Sequence, residues 1–207
     1  MNNKIFGLLF LVIISTWSQV VGAAEKHAAE QPPHELIEAL KSGGYIIYMR
    51  HGITKRKDKN RTKTAVDLTR CETQRNLTEE GRLQVARIGK VIKALKIPIG
   101  QVKSSPYCRT QDTARAVFGD YEVDDLLAYS MAKLEKESAK LGQYLYDSIL
   151  SVTDTKNNTV FVGHTANLKD GLDIWPKPEG VAVIFKIEQG NVIFKGMIKP
   201  DDWPPVK

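Results

Sequence analysis

Two short apolar runs place the tightest constraint on the fold of this chain. Residues 45–49 (YIIYM) lie between two glycines and Arg50, and residues 159–162 (TVFV) lie just before Gly163. Short runs rich in β-branched and aromatic side chains, with no polar alternation, are typical of strands buried on both faces. Such strands require a sheet that is covered by other elements on each side.

Helical patterns alternate with these runs. The spacing predicts a helix that opens at Thr78, whose hydroxyl can cap it, and that ends near Pro98. We predict further helices over residues 34–42, 108–118, 132–152 and 166–172, and further strands over residues 102–104, 181–187 and 191–198. Gln189-Gly190 joins the last two strands as a hairpin. This alternation predicts a three-layer α/β fold, with a mostly parallel sheet, helices on both faces and an antiparallel C-terminal hairpin.

The first 24 residues have the pattern of a secretory signal peptide. Lys4 supplies a positive charge, residues 5–14 are apolar, and small residues suit cleavage after Ala24 or Ala23. The alternative is an uncleaved membrane anchor, although the run is shorter than the ~20 residues of a spanning helix. We therefore predict a signal peptide at 1–24, a flexible lead at 25–34 and one folded domain at 35–207. The protein would be secreted or periplasmic, with no stable membrane insertion after cleavage.

The net charge of the chain indicates which kind of ligand it is suited to bind. The chain has 30 basic and 24 acidic residues, a net charge of +6, which mildly favours anionic partners. No basic helix with interleaved aromatic residues is present, so the composition does not indicate nucleic-acid binding. A small anionic, phosphorylated substrate accounts for the excess positive charge.

Three polar clusters stand where predicted strands end. They are residues 50–52 (RHG), residues 104–109 (SSPYCR) and residues 163–165 (GHT). Because the carboxyl ends of parallel strands face the ligand crevice of an open α/β sheet, we expect these clusters to meet. Their convergence would bring together two arginines and two histidines, namely Arg50, His51, Arg109 and His164.

This set of side chains suits phosphoryl transfer. Arginine grips a phosphate with a planar fork of donors, and fixed cations stabilise the charge that gathers on the phosphoryl oxygens. A neutral imidazole is a good nucleophile for phosphorus, since the reference pKa of histidine is about 6.5. Two arginines neutralise the phosphate charge without a metal ion, and the pattern calls for no cofactor.

Four segments resemble motifs of the histidine phosphatase superfamily, the group that includes cofactor-dependent phosphoglycerate mutases. They are residues 48–54 (YMRHGIT), 75–82 (RNLTEEGR), 104–114 (SSPYCRTQDTA) and 162–164 (VGH). The likeness extends from about Tyr45 to the C-terminal hairpin and suggests an exported bacterial member. It implies that His51 is the phosphorylated nucleophile and that Arg50, Arg109 and His164 are catalytic and bind the phosphate. It also implies that Thr54 lines the phosphate site.

One departure from the family pattern concerns the proton donor. Many members place a glutamate shortly after the second-arginine helix, where this chain has Ala128 or Tyr129. Asp125 is the remaining candidate, although Asp124 and Asp125 also suit an ordinary surface turn. Absence of the acid indicates a substrate with a good leaving group, such as a phosphoanhydride, an acyl phosphate or a phosphohistidine.

Two further features keep alternatives open. Cys71 and Cys108 form a disulfide if their geometry allows it, and an oxidising compartment would permit the bond. The basic loop at residues 55–63 either steers an anionic substrate towards the site or is an ordinary solvated run.

The sequence thus predicts a metal-independent phosphatase that hydrolyses a phosphate ester or anhydride through a phosphohistidine. A non-catalytic module that binds phosphate or phosphorylated glycans with the same residues is the second hypothesis, and the missing glutamate motivates it. A phosphomutase ranks last, because export would separate it from glycolytic intermediates.

Overall fold

The computed structural model describes residues 30–55, 67–130 and 134–205. Within these ranges the chain forms five α-helices and six strands. The helices are α1 (Pro33–Leu40), α2 (Glu79–Ala94), α3 (Cys108–Phe118), α4 (Glu135–Leu150) and α5 (Thr165–Leu172). The strands are β1 (Ile46–Arg50), β2 (Ile99–Ser104), β3 (Glu122–Val123), β4 (Asn158–Gly163), β5 (Ala182–Glu188) and β6 (Asn191–Ile198).

All six strands belong to one sheet, in the order β3-β2-β4-β1-β5-β6. The pairs β3–β2, β2–β4 and β4–β1 are parallel, whereas β5 runs antiparallel to β1 and β6 antiparallel to β5. The predicted α/β fold with an antiparallel C-terminal hairpin is confirmed. The hairpin turns at Gln189 and Gly190, which both have positive φ.

Strand β1 is buried on both faces, as its apolar run predicts. Ile47 and Met49 belong to a core that includes side chains of α1, α2 and α3. Ile46 and Tyr48 belong to a second core, formed with side chains of α4 and α5. Because alternate residues of a strand point to opposite faces, helices must cover both sides of the sheet.

The first turn of α2 is fixed against the loop that follows β1. The Thr78 hydroxyl accepts a hydrogen bond from Gly81 N at 2.9 Å, which caps the helix as predicted. The backbone of Thr78 donates to the carbonyl of Ile53 at 2.9 Å. Gly81 lies so close to Ile53 that a Cβ at this position would collide with its carbonyl oxygen. The helix therefore holds residues 51–54 in place.

Most element boundaries differ from the sequence-based prediction by one to three residues. Strand β2 begins at Ile99 and includes Gly100, whereas the prediction began at residue 102. Ile99 pairs with Asn158 of β4, so the neighbouring strand extends β2 past the glycine. Strand β3 is missing from the prediction, since its two exposed residues carry no periodic pattern. The predicted signal peptide, residues 25–29 of the predicted lead and residues 56–63 of the basic loop lie outside the described residues.

In the described part of the chain, no helix has the length and apolar character needed to cross a membrane.

Replacement of Gly81 by alanine tests the close contact between α2 and the loop. Alanine is the better helix former, yet the Ile53 carbonyl would have to move to admit its methyl group. We expect Gly81→Ala to lower the free energy of unfolding by about 1–3 kcal/mol, measured by urea denaturation. Lys90→Ala, at an exposed position of the same helix, serves as the control. A stability gain in Gly81→Ala would contradict the contact.

Candidate active site

The predicted site residues follow three parallel strands and therefore lie at one edge of the sheet. Strand β4 lies between β2 and β1, and the segments that follow these strands carry His164, Arg109 and His51. The antiparallel strand β5 begins where β1 ends, so the loop before β5 reaches the same edge. This loop contributes Glu179, which the sequence analysis does not identify.

The two histidines and two arginines lie close together, and we call these four residues the phosphate cup: Arg50, His51, Arg109 and His164. The ring centroids of His51 and His164 are 5.6 Å apart, with 62° between the ring planes. Arg109 Nη2 lies 3.2 Å from His164 Nδ1. The side chain of Arg50 donates to the Pro176 carbonyl at 3.1 Å and to Glu179 at 3.3 Å.

One ring nitrogen of His51, Nε2, has no hydrogen-bond partner among the described residues. Its Nδ1 lies 2.9 Å from the Gly52 carbonyl oxygen, which only accepts hydrogen bonds. The proton of the neutral ring is therefore assigned to Nδ1, and the lone pair lies on Nε2. Burial, followed by the positive charge of Arg109, holds the pKa of His51 well below its usual value. The ring is consequently neutral near pH 7, as a nucleophile must be.

His164 has the opposite tautomer. Arg109 donates to Nδ1, and arginine has no acceptor, so the ring proton is assigned to Nε2. Nε2 lies 2.8 Å from the Ser105 hydroxyl, which accepts this proton in a hydrogen bond. The Tyr48 hydroxyl donates to the carbonyl of His164 and accepts from its N–H, and this fixes the backbone. Burial and the charge of Arg109 hold the pKa of His164 well below its usual value.

Arg109 is a buried cation, with only 6% of its surface exposed. Its guanidinium lies 4.4 Å from the ring centroid of Tyr107 and 5.7 Å from that of Tyr129. Burial lowers the pKa of Arg109 to about 10, which still leaves the group charged at neutral pH. Among the described residues it has no ion-pair partner, and its Nε, like that of Arg50, has no hydrogen-bond partner. Two buried arginine donors without partners are suited to an anionic ligand.

Glu179 links three elements next to the cup. Its carboxylate accepts from the backbone N–H of Thr54 at 3.0 Å and from the Thr54 hydroxyl at 2.9 Å. It also accepts from Arg50 and, at 2.5 Å, from Arg75. The predicted C-terminal hairpin could have indicated Glu179. If its first strand runs antiparallel to β1, the residues just before that strand must lie near Arg50, where β1 ends.

The structure shows the partners of two further residues that the sequence analysis names. The Thr54 hydroxyl donates its single proton to Glu179 and accepts from Arg75 Nε at 2.6 Å. Asp125 is exposed in a short 3₁₀ turn. Asp124 accepts from the Leu126 N–H at 3.0 Å and from the Tyr144 hydroxyl at 2.6 Å. The acidic pair therefore forms the surface turn that was the alternative to a catalytic role.

A disulfide joins Cys71 to Cys108, with their Cα atoms 5.7 Å apart. The backbone N–H of Cys108 also donates to the Gln74 side chain at 3.0 Å. Both contacts tie the segment that precedes α2 to the start of α3. Since Cys108 precedes Arg109, the bond lies directly beside the cup.

Residues 46–128 match a family model described as the histidine phosphatase superfamily (branch 1). No curated protein matches the sequence significantly.

Solved structures with the same fold have low sequence identity to this chain. Phosphoserine phosphatase from Entamoeba histolytica, in complex with 3-phosphoglyceric acid, has a TM-score of 0.54 and 18% identity over 75% of this chain and 96% of that chain. A putative alpha-ribazole-5'-P phosphatase from Escherichia coli has a TM-score of 0.56 and 14% identity, with coverage of 80% and 100%. The putative phosphohistidine phosphatase SixA from Agrobacterium tumefaciens has a TM-score of 0.50 and 17% identity, with coverage of 76% and 98%. At these identities the similarity establishes the fold.

The two neutral histidines make stability depend on pH. In the unfolded chain both rings bind protons below pH 6.5, whereas the folded cup keeps them neutral. Unfolding therefore takes up protons in this range, and the free energy of unfolding falls as the pH drops below about 6.5. Each ring contributes up to about 1.4 kcal/mol per pH unit.

Urea denaturation between pH 7 and pH 5.5 measures this dependence. We expect His51→Asn to reduce the slope by an amount that approaches one proton at the acidic end of this range. An identical slope in wild type and His51→Asn would show that His51 is not held neutral by the fold.

Proposed function

We propose that this chain, a member of the histidine phosphatase superfamily, is a phosphatase that works through a phosphohistidine on His51. The observation that carries this proposal is the buried guanidinium of Arg109, which has no ion-pair partner within residues 30–55, 67–130 and 134–205, beside the neutral ring of His51. A phosphoryl group would supply the negative charge that the cup lacks, and the His51 ring would supply the attacking lone pair.

The first half of the reaction transfers the phosphoryl group to the enzyme. The Nε2 lone pair of His51 forms a bond to phosphorus while the bond from phosphorus to the leaving atom breaks; this atom is an oxygen in an ester or anhydride and a nitrogen in a phosphohistidine. The electron pair departs with the leaving atom, and the His51 ring becomes positively charged. The hydrogen bond from Nδ1 to the Gly52 carbonyl stabilises this charge, and the guanidinium groups of Arg50 and Arg109 balance the phosphoryl oxygens.

The second half releases inorganic phosphate. A water oxygen attacks phosphorus, the N–P bond breaks, and its electron pair returns to Nε2. The protons of the water pass to the phosphate and to solvent. His164 serves this cycle by holding Arg109 in position, since its Nδ1 accepts a hydrogen bond from that guanidinium.

The surroundings of the cup favour a substrate with a good leaving group. Among the described residues, Glu179 is the carboxylate that contacts the cup, and all its hydrogen-bond partners are donors. Ala128 or Tyr129 stands where many family members carry a glutamate, and the ring centroid of Tyr129 lies 5.2 Å from that of His164. We therefore propose a phosphoanhydride, acyl phosphate or phosphohistidine substrate, whose leaving group needs little protonation. The name of the SixA structure, a putative phosphohistidine phosphatase, supports this class.

A second candidate function is phosphate binding without turnover. It is favoured by the same missing carboxylate, and it predicts affinity for phosphorylated ligands with no hydrolysis. A phosphomutase would instead form a stable phosphoenzyme and transfer the phosphoryl group to an acceptor other than water. Assays with one panel of phosphorylated substrates distinguish these three functions.

We also propose that the protein is exported. The apolar run at residues 5–14 and the small residues before position 25 support cleavage of a signal peptide. The disulfide between Cys71 and Cys108 supports a secreted or periplasmic location, because such bonds persist in oxidising compartments.

The turnover test uses the mature protein with aryl, acyl and anhydride phosphates in the presence of EDTA. We expect hydrolysis of at least one of them, and we expect His51→Ala to reduce kcat by at least about a thousandfold, because the nucleophile is lost. His34→Ala replaces an exposed histidine and controls for nonspecific effects. Circular dichroism should show that both variants are folded. Undiminished hydrolysis by His51→Ala would rule out the phosphohistidine route, and loss of activity in EDTA would rule out metal independence.

A further inference from the structure

A third guanidinium lies at the edge of the phosphate cup. Arg75 donates from Nε to the Thr54 hydroxyl at 2.6 Å and from Nη2 to Glu179 at 2.5 Å. Its side chain is 46% exposed, whereas Arg109 is buried. Across residues 30–55, 67–130 and 134–205, nothing accepts a hydrogen bond from Arg75 Nη1. The side chain is therefore accessible to solvent, and Nη1 is available as a donor to a ligand.

Arg75 is a direct neighbour of Arg50. The same oxygen of Glu179, Oε1, accepts hydrogen bonds from Nη2 of both arginines. The charge of Arg75 also contributes to lowering the pKa of His51 and His164, which agrees with its position beside the cup. Because two guanidinium groups share one carboxylate, neither is fully neutralised.

The segment that carries Arg75 is firmly held. The disulfide fixes Cys71 to α3, and Gln74 accepts from the Cys108 N–H. The Asn76 side chain donates to the Cys71 carbonyl at 2.6 Å. On the other side, Leu77 pairs with Thr54 in an isolated β-bridge. A guanidinium held on both sides loses little conformational freedom when it binds a ligand.

We propose that Arg75 is a specificity-determining residue that binds a second anionic group of the substrate. This group is a carboxylate or a second phosphate close to the phosphoryl group that is transferred. The proposal rests on the function proposed above, since the cup must hold the reacting phosphoryl group. Arg50 and Arg109 bind the phosphoryl group that is transferred. Arg75 binds the second anionic group, because the planar guanidinium of arginine can donate two hydrogen bonds to one carboxylate or phosphate.

A matched pair of substrates tests the proposal by turnover. Phenyl phosphate and 3-carboxyphenyl phosphate differ by one carboxylate, and the measured quantity is the ratio of their kcat/KM values. We expect wild type to prefer the carboxylated substrate, and Arg75→Ala to reduce this ratio by about ten- to a hundredfold, the effect of one charge-assisted contact. Arg75→Lys keeps the positive charge but loses the planar guanidinium, so its ratio should lie between those of wild type and Arg75→Ala.

Arg70→Ala is the matched control. Arg70 lies in the same region of the chain, is exposed and pairs with Glu72, so its removal changes the net charge equally without touching the cup. The ratio should stay at the wild-type value in this variant. If Arg75→Ala slows both substrates to the same extent, Arg75 only supports Thr54 and Glu179, and the proposal is overturned. A ratio that falls equally in Arg70→Ala would also overturn it, because general electrostatic steering would then suffice.

Calorimetry separates this proposal from the catalytic one. Methylphosphonate and methylenediphosphonate resist hydrolysis, and they offer one or two anionic groups. We expect wild type to bind the diphosphonate more tightly, and Arg75→Ala to lose this preference. Such a result without any turnover would support the Arg75 site and reject the phosphatase function. Equal affinity of wild type for both probes would overturn the Arg75 site even if hydrolysis is observed.

Discussion

The site depends on Arg109, a buried cation that has no ion-pair partner in the part of the chain that the structure describes. Removal of Arg109 from water is costly, and the tyrosine ring beside it offsets only part of that cost. Its hydrogen bond to His164 sets the tautomer of that ring, and its charge helps to keep His51 neutral. This arrangement suits an anionic group, and under the proposed function a phosphoryl group would supply negative charge opposite Arg109.

The cup is held by two different kinds of support. Behind it, the sheet is rigid, because β1 and β4 are buried on both faces and Tyr48 ties β1 to the backbone of His164. Hydrogen bonds and a disulfide support the cup from the side. Glu179 accepts hydrogen bonds from Arg50, Thr54 and Arg75, and the disulfide fixes the start of α3. The apolar core sets the position of the strand ends, and the polar network sets the direction of the guanidinium groups.

Sequence-based prediction succeeded where the signal is local or periodic. The apolar run before Arg50 predicts a doubly buried strand, and Thr78 predicts a helix start, because each feature acts within a few residues. The prediction missed Glu179, which meets Thr54 across a sequence separation of 125 residues. Whether a threonine hydroxyl faces a phosphate or a carboxylate depends on which distant loop arrives beside it. Strand β3 was missed for a related reason, since its pairing with β2 is what makes those two residues a strand.

The sequence by itself determined the α/β class, the strand ends that carry arginine and histidine, and the type of chemistry that these side chains support. Periodicity and composition are sufficient for this, because they specify which residues must be buried and where each buried run stops. Only the tertiary structure decided how the side chains pair: the tautomers of His51 and His164, the carboxylate that joins Arg50 to Arg75, and the closure of the disulfide. The physical reason is that hydrogen bonds and disulfides require particular distances and angles between atoms that are remote in the chain, and only packing of the whole domain sets those distances.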